Sequence, residues 1–183
     1  MVKKPDRAPS LSPQDWIDAL IEGLIEEGTK GIRITRLARR LGVTPGSFYW
    51  HFRDRDCLRD KALEHWRGNM LQRAMAALQL STRPADRLRS LPEFLVDRRL
   101  PDLDTAMRAW ASEDEVVADS VAKADALRKR MFTEMLEAAG VHPEDAALRA
   151  QLFFWSLLGS RGVDPELRTR GLKDLIELMT PKR

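Results

Sequence analysis

The chain has 183 residues, 43% hydrophobic and 32% charged, with 31 Lys+Arg against 28 Asp+Glu and one cysteine. That length and apolar content suffice for one ordinary domain, or a small one joined to a larger one, and exclude wholesale disorder. A lone cysteine excludes an internal disulfide and a zinc framework; the opening MVKKPDRAPSLSP lacks the apolar core of an export signal, and no run reaches the ~18–20 apolar residues of a membrane span, so a cytoplasmic protein without a membrane partner is expected.

Helical signals dominate the chain from Ser12 onward. Ser12-Pro13-Gln14-Asp15 reads as a helix start, and Trp16, Ile17, Leu20, Ile21, Leu24 and Ile25 recur at three-four spacing up to Gly28. A short second helix runs from about Thr35 to Leu41, with Leu37, Ala38 and Leu41 on one face, and Gly42 supplies the turn. Thr44-Pro45 restarts the chain for a third helix ending near His51. Asp54 caps a fourth whose apolar positions Leu58, Ala62, Trp66, Met70, Ala74 and Leu78 keep one face throughout.

The second part repeats the pattern. Residues 84–99 read as a helix interrupted near Pro92, residues 102–111 as a short helix, and Ser112-x-x-Glu115 as the capping box of a long helix ending at Gly140. Pro143 opens a helix through Leu158, and Asp164-Pro165 opens a last one through Met179. About nine helices without a strand signal imply an all-α protein, and the expected division is a head at 1–55 and a body at 56–183.

Charge is not spread evenly. Residues 1–27 carry Lys3, Lys4 and Arg7 against Asp6, Asp15, Asp18, Glu22, Glu26 and Glu27, a net −3. Residues 28–55 carry Lys30, Arg33, Arg36, Arg39, Arg40, Arg53 and Arg55 against Asp54 alone, a net +6, and the rest of the chain is balanced. A basic block confined to so few residues is the footprint of a surface that meets phosphate, although a solvated helix face reads the same way.

Within that block, Leu37, Ala38, Leu41, Gly42 and Val43 have the grammar of a helix-turn-helix: two apolar anchors, a small residue where helices approach, a glycine turn and an apolar plug. The following helix buries only Phe48 and Phe52, four apart, and offers Ser47, Tyr49, Trp50 and His51 outward. The run Ile34-Thr35-Arg36-Leu37-Ala38-Arg39-Arg40-Leu41-Gly42-Val43-Thr44-Pro45-Gly46-Ser47-Phe48-Tyr49-Trp50-His51-Phe52-Arg53-Asp54-Arg55 resembles the DNA-binding head of the tetracycline-repressor (TetR) family of bacterial regulators, with close matching over residues 14–65. Met107-Arg108-Ala109-Trp110-Ala111 is similar to a segment of many members.

The resemblance implies a three-helix head and a helical effector-binding and dimerisation body. It implies that Thr35 caps the second helix and meets a phosphate, that Thr44, Gly46 and Ser47 approach base edges, and that Tyr49 offers its hydroxyl and ring. It further implies phosphate contacts for Trp50, His51 and Arg55, the last at the positive end of the fourth helix. Charge alone adds Arg33 and Arg36. Two alternatives stand open: Trp50 packing on the first helix, and His51 acting as a structural cap between helices.

In the body, Trp66, Met70, Met107, Trp110, Met131, Met135 and Phe153 are expected either to line a cavity for a small hydrophobic or aromatic effector or to fill the core. Leu152 to Leu158 is apolar nearly all round its helix, and the last helix carries a matching stripe. The resemblance implies that these helices form a homodimer interface, with Phe154, Trp155, Leu158, Leu172, Leu175, Ile176 and Met179 in it. The expected function is therefore a sequence-specific regulator of double-stranded DNA, a ligand-responsive repressor reading a palindromic operator as a homodimer. An effector-independent architectural or partner-binding helical protein is the competing class. The three histidines and Cys57 form no nucleophile-base set and no metal spacing, and no glycine-rich phosphate loop is present, so neither catalysis nor a cofactor is expected.

Overall fold

The computed structural model of the chain describes residues 11–96, 100–160 and 162–181. The charges of residues 1–10 and the end of the expected 84–99 helix lie outside them. Among the described residues the protein is all-α: α1 Pro13–Glu27, α2 Ile34–Arg40, a 3₁₀ segment Pro45–Trp50, α3 Arg55–Leu78, α4 Pro84–Val96, α5 Leu100–Ala111, α6 Glu115–Ala138, α7 Pro143–Gly159 and α8 Pro165–Met179.

The local start signals hold in most places. The Ser12 hydroxyl accepts from the Asp15 N–H while the Asp15 carboxylate accepts from the Ser12 N–H at 2.6 Å, a reciprocal capping box on α1. Asp54 accepts the Cys57 N–H at 2.8 Å ahead of α3, and Asp164 accepts the N–H groups of Glu166 and Leu167 ahead of α8. Three expectations need correction. The cap of α6 is Asp114, whose carboxylate takes the N–H groups of Val116 and Val117; it is nearer the helix than Ser112, whose hydroxyl donates instead to the Ala109 carbonyl. Thr35 lies inside α2, which starts one residue earlier behind Arg33, so it caps nothing. Helix α4 runs on through Pro92, a wholly buried side chain, because burial of its apolar face outweighs the one ladder bond a proline removes.

The described residues gather into two compact units, which divide between Trp66 and Arg67. The boundary expected after residue 55 thus moves into α3: Leu58, Ala62, Leu63 and Trp66 are buried within the first unit, and His65 Nδ1 lies 3.4 Å from Gln14 Nε2 of α1. The first unit centres on Trp16, Leu20, Leu24, Leu37, Ala38 and Phe48, all nearly inaccessible to solvent. The second unit is built on a core drawn from five helices, in which Leu88, Leu136, Ala146 and Ile176 are fully covered and Phe132 stacks on Phe153 at 4.2 Å.

One backbone contact sets how the chain leaves α1. Gly23, on α1, faces Gly31, and a Cβ at Gly31 would lie 2.1 Å from the Gly23 carbonyl oxygen, with no flexible side chain there to give way. Gly31→Ala is therefore expected to destabilise the first unit by about 1–3 kcal/mol, read as a lower denaturation midpoint, whereas Gly68→Ala, on α3 just inside the second unit with open space at its Cβ, is expected to leave that midpoint unchanged.

Candidate nucleic-acid interface

The geometry of the basic block follows from how little of it is apolar. Gly42, at φ 69°, turns the chain after α2, with the Val43 N–H bonded to the Ala38 carbonyl at 2.9 Å. The next segment is a 3₁₀ turn in place of the expected third α-helix: the Ser47 N–H bonds the Thr44 carbonyl at 3.0 Å and the His51 N–H the Phe48 carbonyl at 2.9 Å. Pro45 has no N–H to offer and Gly46 favours no helix, so the tighter three-residue ladder suffices over six residues. Thr44 is the cap residue through its carbonyl, and its hydroxyl forms no capping bond.

Of this segment only Phe48 is buried; its ring meets Trp16 edge-on at 5.4 Å and stacks with Phe52 at 5.4 Å. Its neighbours are left facing outward. Tyr49 is 65% exposed, its ring edge-on to Phe48 at 5.2 Å, and Trp50 is 89% exposed. That exposure removes the alternative in which Trp50 packs on the first helix. Thr44, Gly46, Thr35, Arg33 and Arg55 are also exposed, and Ser47 is half-exposed. His51 is half-buried, with its ring 6.4 Å from that of Trp16 on α1.

The cations divide into two sets. Arg36 is bonded to Glu27, and Arg40 reaches Glu26 at 2.9 Å, Glu27 at 3.1 Å and Glu22 at 3.8 Å, all on α1. Arg36, expected beside phosphate on charge alone, is thus held by a carboxylate. Arg53 pairs with the adjacent Asp54. Lys30, Arg33, Arg39 and Arg55 are exposed and make no ion pair among the described residues.

In the body, the expected cavity set splits. Trp66 falls in the first unit; Met107 and Trp110 are buried on α5; Met70 and Met131 are half-buried; Met135 and Phe153 are members of the packed core. The expected dimer set is corrected more sharply. Leu172, Ile176 and Met179 fill the subunit's own core, Leu175 packs against it, and Phe154 is covered, with Arg108 and Lys129 over its ring at 5.7 and 5.9 Å. Leu158 is half-buried, while Trp155 is 60% exposed. Leu148 and Leu152, on one face of α7 with Trp155, and Leu167 and Leu178, on one face of α8, are exposed; Leu152 and Leu167 belong to the expected apolar run and stripe, while Leu148 and Leu178 fall outside both. The three-four spacing of Leu148, Leu152 and Trp155 was a visible signal, but a helix apolar on both sides does not show which side its own core takes.

No group of three or more His, Cys, Asp or Glu among the described residues could hold a metal ion, and no described helix is long and apolar enough to cross a membrane.

Two capping carboxylates bracket this surface. Asp15 titrates below the ordinary carboxylate range because the Ser12 backbone and hydroxyl bond its charged form, and Asp54 does so because it accepts the Cys57 N–H and pairs with Arg53. Depressed folded-state values mean that their contribution is complete above the unfolded pKa of roughly 4 and is lost as pH falls below it. The melting temperature of the first unit is expected to be flat from neutrality to about pH 5 and to drop in more acid solution, with a shallower drop in Asp15→Asn and Asp54→Asn, measured by circular dichroism.

Comparison with known proteins places these observations. Residues 17–62 match the family model of bacterial regulatory proteins of the tetR family. The tetracycline repressor protein class A from transposon 1721 of Escherichia coli is 41% identical over 54 residues, 30% of this chain and 25% of the repressor, so the chain matches a quarter of that curated relative's length. Among solved structures, a TetR-family transcriptional regulator from Streptomyces coelicolor superposes with a TM-score of 0.79 at 19% identity, over 94% of this chain and 90% of its own. A candidate transcriptional regulator from Saccharomonospora viridis in complex with choline gives 0.80 at 18% identity, over 93% and 98%. At these identities the likeness is one of fold.

Proposed function

We propose that the chain, whose head matches the tetR family of bacterial regulatory proteins over residues 17–62, is a ligand-responsive repressor that binds a palindromic DNA operator as a homodimer. The observation that carries the reading is the outward face of the 3₁₀ segment and its cap: Thr44, Gly46, Ser47, Tyr49 and Trp50 stay outside the core while Phe48 alone is buried, and Lys30, Arg33, Arg39 and Arg55 of the same basic block are exposed and make no ion pair among the described residues. Cations supply sequence-independent phosphate attraction, and hydroxyl, amide and ring edges supply discrimination between bases. His51 serves this surface from behind, as a spacer against α1, and Thr35 meets phosphate through its exposed hydroxyl, without capping.

Operator affinity is expected to fall steeply with salt, with log K against log salt sloping by about −0.9 for each phosphate neutralised. A titration that is flat between low and physiological salt rules the DNA reading out. Tyr49→Ala is expected to weaken operator binding roughly 10- to 100-fold, the ~1–3 kcal/mol of one good base contact, with an unchanged melting temperature, since the ring is largely outside the core.

The dimer reading moves to the faces left open on α7 and α8: Leu148, Leu152, Trp155, Leu167 and Leu178. Exposed apolar faces on two adjacent helices are what a second copy would cover, and a two-fold dimer presents two heads to two half-sites. Trp155→Arg is expected to elute as a folded monomer in size-exclusion chromatography; a dimer of unchanged affinity places the interface elsewhere. For the effector, a fold neighbour solved in complex with choline, the S. viridis protein, supports a small-molecule ligand, and the body is where this reading puts it. Met107 and Trp110, buried on α5 outside the main core, are the candidates to meet it. A difference of ~1–3 kcal/mol in effector affinity between the DNA-competent and released states is enough for control.

A further inference from the structure

Three carboxylates crowd the C-terminal end of α1, the negative end of its dipole, where acidic side chains are disfavoured, and α1 has no basic residue in its last turn. Their compensation comes from the next helix. Glu27 binds Arg36 and also Arg40; Glu26 binds Arg40 at 2.9 Å; Glu22 stands 3.8 Å from Arg40. The Arg40 guanidinium is held in its charged form chiefly by the hydrogen bond to Glu26. Both arginines stay partly accessible, Arg36 with 45% of its side chain exposed, so a phosphate could compete for them if the carboxylates lost their charge.

We infer that Glu26 and Glu27 are specificity-determining residues: they hold Arg36 and Arg40 out of the phosphate-binding set and so limit the protein's affinity for DNA of any sequence. The inference rests on the DNA-binding reading above. Of the arginines and lysine that give residues 28–55 their net +6, Arg36 and Arg40 are neutralised in place by α1 and Arg53 by the adjacent Asp54, leaving Lys30, Arg33, Arg39 and Arg55 unpaired among the described residues. Sequence-independent affinity scales with the number of phosphates neutralised, whereas discrimination depends on base contacts. A clasp that removes cations from the first set without touching Tyr49 or Ser47 raises the ratio of specific to non-specific binding.

The test uses the full chain and a random-sequence DNA duplex, titrated across a range of salt. In the E26Q/E27Q variant the slope of log K against log salt is expected to steepen by about 0.9 for each arginine released, with affinity at physiological salt rising roughly five-fold per arginine. R36Q/R40Q is expected to match the unsubstituted protein, and E26Q/E27Q added to R36Q/R40Q to change nothing further. An unchanged slope in a variant that melts normally overturns the inference. So does an equal steepening in the R36Q/R40Q background, because the carboxylates then act by plain repulsion of DNA. Absence of duplex binding by every form, at low salt, overturns the DNA-binding reading and this inference with it.

Discussion

Phe48 is the one side chain of the 3₁₀ segment buried in the first unit, and the reading surface depends on it. Its ring stands edge-on to Trp16 and stacks with Phe52, so a segment of six residues is fixed to α1 by aromatic contact instead of by a stripe of its own. That economy is what frees Tyr49 and Trp50. A longer helix with two buried turns would have turned some of these groups inward. The choice of a 3₁₀ ladder follows from the same shortness: Pro45 and Gly46 occupy the first turn, and the bonds that remain are local.

Charge follows a different logic from packing. The basic block is a property of composition along the chain, but the charge presented to a ligand is a property of space. Arg36 and Arg40 sit on a helix that packs on α1, and α1 brings its acidic end to them. Surface ion pairs contribute little stability, about 0–1 kcal/mol each. Their consequence is therefore felt less in folding than in which cations stay available.

The body shows the same division between pattern and partner. Helix α7 carries apolar residues on two sides, which have separate fates: Phe153 and Ala150 enter the subunit's core, while Leu148, Leu152 and Trp155 face outward. On α8, Leu172, Ile176 and Met179 turn inward and Leu167 and Leu178 do not. The assignment of the inward residues to a dimer interface failed because periodicity identifies a face without identifying what covers it. Arg89 with Glu177, and Lys173 with Glu93, then tie α8 to α4 across the polar seam.

What the sequence by itself determined is local. Helix starts at Ser12, Asp54 and Asp164, the left-handed turn at Gly42, the apolar stripe of α1 and the helix-turn-helix grammar each depend on residues within about four positions of one another, where side chain and backbone meet whatever the rest of the chain does. The choice of Asp114 over Ser112 shows the limit even there, since two eligible caps within three residues are separated only by where the preceding helix ends. What only the tertiary structure decided is non-local. Gly31 must be glycine because Gly23, on another element, arrives beside it; Trp50 is exposed because Phe48 took the space on Trp16; and Arg36 is occupied because α1 places Glu27 within reach. Each of these is a contact between residues whose spacing along the chain carries no record of their meeting, and burial and charge pairing are both set by such meetings.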